Sequence, residues 1–562
     1  MRILLITPPL TQLNTPYPAT AYLKGHYTAQ GHTVMQVDLG IELADRVLSR
    51  TFLSGIGLTR HAAVIEPVKR FLRGQDDTLA PRIAARTLLP EGPRFAQLDD
   101  LEWAFGTAGT TDKAQHLATL FIEDIADYIR EQVDPHFDLV RYAEYLSNDA
   151  PTFDPLYAEL QQPPSMVDRL MLELLAGHVA AFRPDSVCLT VPFPGCLYGA
   201  LRCGWWLKSN TEADIEIGGG FPNTEWRQLD EPRIYEFCHR VAIDGCADAD
   251  EQCPDFSDLP LDLYLSLTEM TNPMHRLWSM GRWNKMVMAH GCYWHRCAFC
   301  DTTLDYIGRY RAPEATTVVD HMERVMAQTG RTGFHFVDEA LPPRLLGEVA
   351  DEILRRGLAV SFWGNIRFER AYTPELCSRL AAAGMVAVSG GLEVASDRLL
   401  KLIDKGVTVR QTVDACRHLH AAGIMVHTYL MYGFPTETLQ ETVDALENVR
   451  RMFDEGIVQS AFWHRYAMTC HSRSGQQPEQ YGAHRITQQP NPFCNNEVDW
   501  EPAAGGPQFP YDIDAVGAAL RLATYNYMNG LGLDQPLRSW FPIRVPKPSQ
   551  TAQEQKKSHS RQ

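Results

Sequence analysis

The sequence predicts an α/β protein in three parts: an N-terminal Rossmann-like domain, a partial (β/α)6 barrel and a C-terminal helical extension. Three observations carry that expectation. Short apolar runs that end in glycine or proline turns recur along the chain, as buried parallel strands do. Helix-period stretches separate them, which is the alternation of βαβ units. At 562 residues the chain is also too long for one hydrophobic core. The expected divisions are 1–250 for the first domain with a helical insertion at about 41–180, 251–285 for a linker, 286–480 for the barrel, 481–546 for the extension, and 547–562 for a polar, disordered tail.

Composition narrows the function. A hydrophobic content of 45% suits globular folding, and a formal charge of −17 without a basic, aromatic-interleaved patch speaks against nucleic-acid binding. Met1 to Pro9 is broken too early to act as a signal peptide, and no run of eighteen apolar residues offers a membrane span. Thirteen scattered cysteines, an odd number, fit a reducing compartment, so a cytoplasmic location is expected.

In chain order, Ile3 to Ile6 reads as a buried strand stopped by Pro8 and Pro9, Tyr17 to Gln30 as a helix ended by Gly31, and His32 to Leu39 as the next strand. Apolar-periodic stretches at Ala114 to Ile129 and Val167 to Phe182 mark the helical insertion. Strands resume at Ser186 to Val191, Ile215 to Ile217 and Val241 to Ile243, with a helix from Leu197 to Leu207. They run into turns at Pro194-Gly195, Gly218-Gly219-Gly220 and Asp244-Gly245. Glycine turns at the carboxyl edge of such a sheet let the backbone approach a large flat group or a phosphate. No G-x-G-x-x-G follows the first strand, which disfavours a nicotinamide or flavin site, and a purely structural domain stays open on these residues alone. In the linker, Leu261 to Leu265 reads as an edge strand, and Trp278 and Trp283 as aromatic packing near an interdomain cleft.

Lys285 to Ala289 reads as the strand that delivers Cys292-Tyr-Trp-His-Arg-Cys297-Ala-Phe-Cys300. Three thiols within nine residues of a polar, aromatic loop form a candidate metal nest. A [4Fe-4S] cluster held by three cysteines keeps one iron open for chemistry. Zinc competes, with His290 or His295 as a fourth ligand, and buried cysteines also occur as plain packing.

Five further strands follow, at Gly333 to Val337, Ala359 to Trp363, Val386 to Leu392, Ile424 to Leu430 and Val458 to Trp463, with helices such as Pro374 to Ala383 and Val409 to Ala422 between them. Six such units give an incomplete parallel barrel, functional at the carboxyl ends of its strands and open at the side to a large substrate. The candidate catalytic residues there are Asp338, Glu339, Asn365 and Arg367. Adjacent residues on a strand face opposite sides, so only one of Asp338 and Glu339 is expected in the pocket. Arg367 offers a donor fork suited to carboxylate, and Glu393 an acceptor for an amine or ribose hydroxyl, while capping and ion-pair roles stay open for each. Residues 471–515 read as a long loop, and Tyr511 to Met528 as a helix capped by Asp512; this part is expected to cover the barrel opening. Cys470, His471 and Cys494 are candidates for extra metal ligands or catalytic groups, beside ordinary structural roles.

The cysteine loop resembles that of the radical S-adenosylmethionine (SAM) enzymes, and Phe299 matches the aromatic before their last cysteine. The spacing here is four residues then two, where the family has three then two; this widens the loop without removing a ligand. Phe336-Val-Asp338, Gly391 to Asp397 and Gly433-Phe-Pro435-Thr-Glu437 resemble barrel segments of that family. Thr7-Pro8-Pro9, Tyr17-Pro18, Phe193-Pro-Gly195, Gly218-Gly-Gly220 and Asp244-Gly245 resemble the cobalamin-binding domain that precedes some radical SAM domains. The resemblance implies cluster ligation by Cys292, Cys297 and Cys300, and SAM contacts at Phe299, Glu393, Ser396, Gly433, Phe434 and Pro435. It implies cobalamin contacts at Thr7, Pro8, Phe193, Gly195, Cys196, Leu197, Tyr198, Gly218, Gly219, Gly220, Phe221, Asp244 and Gly245. The D-x-H-x-x-G motif of many cobalamin proteins is missing, and Asp134-Pro-His136 does not fit it, so no protein histidine is expected beneath the cobalt.

As function, the resemblance implies a cobalamin-dependent methyltransferase acting on an unactivated carbon of a small metabolite or peptide, through a 5′-deoxyadenosyl radical and methylcobalamin. A low-potential donor such as a flavodoxin or ferredoxin would supply electrons. Rearrangement, cyclisation or other non-methylating chemistry is the alternative within the family. A zinc hydrolase and a non-catalytic cobalamin-binding regulator or carrier are alternatives from other classes.

Overall fold

The computed structural model of the chain describes residues 1–97, 101–106, 108–148, 152–227, 229–246, 248–486, 493 and 496–549. Cys494 and most of the expected tail lie outside the described residues.

The first sheet has β1 (Arg2–Thr7), β2 (Thr33–Asp38), β3 (Ser186–Thr190), β4 (Asp214–Gly218) and β5 (Arg240–Val241) in the order β2-β1-β3-β4-β5, all parallel. β3 is buried along its whole length and β1 from its second residue, as strands covered on both faces must be. The strand order reverses between β1 and β3, the switch point at which such sheets hold ligands. Between β2 and β3 runs the helical insertion, including Thr110–Gln132 and Met166–Phe182. A buried polar knot pins it: Asp168 accepts from Tyr198 Oη at 2.7 Å and Tyr142 Oη at 3.1 Å, and pairs with Arg202 at 3.2 Å.

The second sheet has β6 (Trp283–Met286), β7 (Gly333–Phe336), β8 (Ser361–Ile366), β9 (Met385–Glu393), β10 (Met425–Tyr432) and β11 (Ser460–Arg465), parallel and in sequence order. It is a six-stranded partial barrel, with helices packed outside it in one core. Among the described residues no helix is long and apolar enough to cross a membrane.

The structure departs from expectation in four places. β6 starts two residues early and stops at Met286, because the N–H groups of residues 287–289 turn to side chains instead of a strand. Leu261 to Leu265 is a turn, with Leu263 N donating to Pro260 O at 2.9 Å and Leu265 N to Leu13 O at 2.7 Å. Within 471–515, Ala483–Arg485 pairs antiparallel with Trp500–Pro502. The side of the barrel is not left open either. Gln12 Oε1 accepts from Lys285 Nζ on β6 at 2.7 Å, while helix Pro273–Ser279 reaches β11 through the His275–Phe462 ring contact at 5.2 Å. Asn14 Nδ2 donates to Trp278 O at 2.6 Å and joins these two plugs.

The C-terminal helix Ile513–Met528 is capped by Asp512, which accepts from Asp514 N and Ala515 N. It packs on the outer face of β11, where Trp463 Nε1 donates to Thr524 Oγ1 at 2.8 Å, and so does not cover the lumen. A Cβ on Gly517 would sit 2.1 Å from Tyr432 Oη. Gly517→Ala is therefore expected to destabilise the chain by about 1–3 kcal/mol in urea denaturation, because Tyr432 is buried and has no room to yield; an unchanged midpoint would contradict this packing.

Candidate functional site

The cysteine loop starts where the backbone leaves β6. Val287 N donates to Tyr22 Oη at 2.7 Å, Met288 N to Asp338 Oδ2 at 2.8 Å and Ala289 N to Asp338 Oδ1 at 2.7 Å. Burial pushes the Asp338 carboxyl up to about 7, against the pull of those two N–H groups. Both of its oxygens are engaged, so Asp338 positions the loop. Glu339 points the other way, toward the space between the two sheets, near Tyr17 and Tyr306. It has no hydrogen bond or ion pair among the described residues, and desolvation pushes its carboxyl up to about 7.

Backbone pairing stitches the loop to three other segments. His290 and Arg311 form a bridge, Cys292 N donates to Ile307 O at 3.0 Å, Ala298 N to Ile403 O at 2.8 Å, and Ser474 N to Ala298 O at 2.9 Å. Cys297 is buried and Cys292 and Cys300 are half-buried. A hydrogen bond from the Cys300 thiol, together with the Lys405 and Arg367 cations, brings Cys297 down to about 6. Arg367 is 4% exposed; its Nη1 lies 3.7 Å from Cys297 Sγ, its Nη2 donates to Lys405 O at 2.5 Å, and its plane stacks on Trp294 at 4.6 Å. Its Nε has no partner. Lys405 pairs with Glu393 at 2.7 Å and sits 5.7 Å over the Phe299 ring. Asn365 is not free for substrate, since its Nδ2 donates to Asp338 O at 3.2 Å.

This donor set fits an anionic cluster: three thiols on one loop with two buried cations against them. For a lone zinc, His290 is not available as a fourth ligand, since its two ring nitrogens are taken by Asp250 at 2.6 Å and Asp305 at 3.0 Å, while His295 has its Nδ1 on Cys292 O at 2.9 Å and keeps its Nε2. Burial raises the Cys470 thiol to about 11, and His471 Nε2 is bonded to Thr224 O at 3.1 Å.

The positions expected around SAM are divided. Glu393 holds φ +59° beside Gly391, where a Cβ would sit 1.8 Å from Glu393 Oε1. Glycine at 391 thus makes room for the carboxylate. Ser396 caps helix Asp397–Leu402 and donates to Glu441 at 2.9 Å. The N–H groups of Gly433 and Phe434 are consumed by Glu437 Oε2 at 2.7 and 3.1 Å, in a turn that buries Phe434 and Pro435.

Between the two sheets lies a cleft of about 360 Å³ whose walls include Gly218, Gly219, Asp244 and Gly245 on one side and Val287, His290, Tyr306 and Val337 on the other. Gly219 needs its φ of +114°, and a Cβ there would meet Val191 O at 2.7 Å. Gly220 and Phe221 open helix Gly220–Glu225, with Phe221 buried. Thr7 and Pro8 are buried at the end of β1. Phe193 is 54% exposed against Tyr17. Gly195, Cys196, Leu197 and Tyr198 do not reach the cleft wall; Gly195 O accepts from Leu10 N, Cys196 Sγ contacts Leu10 O at 3.6 Å, and Tyr198 joins the Asp168 knot. The glycine turns fit a large flat group, which at this volume would rise out of the cleft.

Sequence reasoning missed Tyr22, Tyr27, Tyr306 and Lys405, while Asn223 lies at the end of the 218–223 turn that the resemblance implies as a cofactor contact. Only Tyr22 had a signal, its place in the first helix beside Tyr17-Pro18.

Residues 286–449 match the Radical SAM superfamily. Members of the superfamily carry a [4Fe-4S] cluster and use SAM. The chain is similar to an uncharacterized methyltransferase of Pyrococcus horikoshii, at 23% identity over 202 residues, which are 34% of this chain and 44% of the relative. It is also similar to the anaerobic magnesium-protoporphyrin IX monomethyl ester cyclase of Cereibacter sphaeroides, at 30% identity over 184 residues, 32% of this chain and 29% of that enzyme. The chain thus spans less than half the length of these relatives. Among solved structures, the radical SAM methyltransferase TsrM of Kitasatospora setae overlays 66% of this chain and 82% of its own, at TM-score 0.43 and 17% identity. The cobalamin-dependent radical SAM enzyme OxsB overlays 58% and 57%, at TM-score 0.42 and 13% identity.

Removing the Asp338 carboxylate strands two N–H groups at the root of the radical SAM loop. Asp338→Ala is expected to lower stability by about 2–5 kcal/mol in urea denaturation and to lower the iron bound per chain after anaerobic reconstitution. Glu339→Ala, which removes no hydrogen bond, is expected to change neither.

Proposed function

We propose that the chain is a cobalamin-dependent radical SAM enzyme that methylates an unactivated carbon of a small metabolite or peptide. One observation carries the reading: the cysteine loop leaves β6 at the cleft, with Val287 and His290 at its root on the wall opposite the glycine turns, and two buried cations, Arg367 and Lys405, stand beside its thiols. The bound groups supply a carbon-centred radical and a transferable methyl. The name of the Pyrococcus relative supports methyl transfer; that of the Cereibacter relative makes cyclisation the second reading.

The chain's residues bind, orient and shield. Cys292, Cys297 and Cys300 hold the cluster, and Arg367 and Lys405 offset its negative charge. Glu393 offers its carboxylate to the SAM amine. Gly218, Gly219 and Gly245 admit the corrin to the edge of the first sheet. Of the cleft's carboxylates, Glu216 and Asp244 pair with Arg240 and Arg227, and Asp250 and Asp305 with His290. Glu339, exposed beside the cleft near Tyr17 and Tyr306, would be free to hold or move a proton at the substrate. The exposed Arg296 side of the loop is where a flavodoxin or ferredoxin would deliver electrons. The described cysteines are all free thiols, in keeping with a cytoplasmic enzyme.

Anaerobic reconstitution with cobalamin, SAM and a low-potential reductant tests the reading. Deoxyadenosine release is expected from the native chain and not from Cys297→Ala, and labelled SAM should pass its methyl group to product; full SAM cleavage by Cys297→Ala would sink the assignment. In EPR, reduced bound cobalamin should show no protein-nitrogen splitting from its lower face, since the cleft histidine, His290, has both nitrogens engaged.

A further inference from the structure

The barrel interior is not accounted for by the cleft. Side chains alternate along each strand between the outer helices and the lumen. Met286, Phe334, Phe336, Phe362 and Leu430 lie in the helix-side core. The opposite set stays partly open. Tyr429, on a strand hydrogen-bonded on both sides, is 37% exposed on the face of the sheet away from those helices, so that face is not fully packed.

The strand register places Lys285 beside His335, and His335 beside Trp363. The His335 ring lies flat on Trp363, with centroids 3.5 Å apart and planes 10° apart. Gln12 Oε1 is the hydrogen-bond partner of the Lys285 amine, and among the described residues no carboxylate pairs with it. Burial without a counter-ion pulls this amine down to about 7. Two buried groups on the same face also lack partners: Trp363 Nε1 and His427 Nε2, on side chains 6% and 0% exposed. His427 Nδ1 is already bonded to Ser460 Oγ at 3.0 Å. The lumen thus presents a cation and ring nitrogens, with a flat aromatic wall and no charge to balance the amine.

We propose that the lumen binds a flat, carboxylate-bearing substrate, with the carboxylate paired to Lys285 and the ring laid on the His335–Trp363 stack. This rests on the reading of the cysteine loop as the reaction centre. Arg367, which contacts Cys297, follows the last residue of the strand that carries Trp363, so the thiols lie at the carboxyl end of that strand. The end of the substrate remote from its carboxylate is the end that reacts.

Calorimetric titration of the full chain with 2-naphthoate and with 2-naphthamide, alike in shape and different in charge, tests this without cluster or SAM. The acid should bind about tenfold more tightly than the amide. Lys285→Met should abolish that preference and Lys285→Arg should keep it. Equal affinity for acid and amide, binding of neither, or a preference that survives Lys285→Met would overturn the proposal, and the native comparison decides even if a variant fails to fold. SAM cleavage by the reconstituted chain is read separately: its absence beside an intact acid preference would count against the reaction centre and support the lumen site.

Discussion

Three consecutive N–H groups, of Val287, Met288 and Ala289, fix the geometry on which the site depends. A strand that ends at the rim of a barrel normally gives its next donors to water or to a turn. Here Tyr22 of the first domain takes one and Asp338 of the neighbouring strand takes two. A buried donor without an acceptor is penalised by more than a made hydrogen bond gains. The departure angle of the cysteine loop is therefore fixed by two side chains from separate parts of the chain. This is one of several contacts that hold the first domain against the second, with those of Gln12 to Lys285 and Asn14 to Trp278.

Charge is the second constraint. Arg367 and Lys405 are buried within reach of Cys297, and only Lys405 has a carboxylate partner, Glu393. Burying a guanidinium without an anion is costly, and an ion pair inside a protein often contributes little to stability. The arrangement makes physical sense as a site for net negative charge, and the same two cations draw the Cys297 thiol downward. The same logic separates Asp338 from Glu339. Burial raises both carboxyls to about 7, yet one holds backbone and the other faces space.

Much of this was legible in the sequence, for stated reasons. Both parallel sheets follow from apolar runs ending at glycine, and the observed strands fall within a few residues of the expected ones. The failures have local causes. Leu261 to Leu265 has a strand's composition but lies under Pro260, whose carbonyl turns it. Ser396 looked like a ligand contact, but it sits one residue before a helix, where a hydroxyl is drawn to cap. Lys405 carried no signal. It reaches the site through a turn at Asp404, φ +53°, and Gly406, φ +77°, where a Cβ would lie 2.2 Å from Trp294. Contacts that depend on such a turn and a distant indole are invisible to periodicity. The segment 471–515 was expected to be featureless because Gln, Pro and Asn dominate it, but part of it, at Ser474, is pinned to Ala298 of the cysteine loop.

The closure of the barrel bears on how water is kept out. A six-stranded sheet leaves a gap between β6 and β11, and reactive carbon radicals do not survive in bulk solvent without side reactions. Gln12 and Asn14 fill the gap from the first domain, and Trp278 on helix Pro273–Ser279 packs among Trp363, His427 and Phe462 from below. The wall of the barrel on that side is thus completed by residues outside the six-stranded sheet, from the first domain and from the helix before β6.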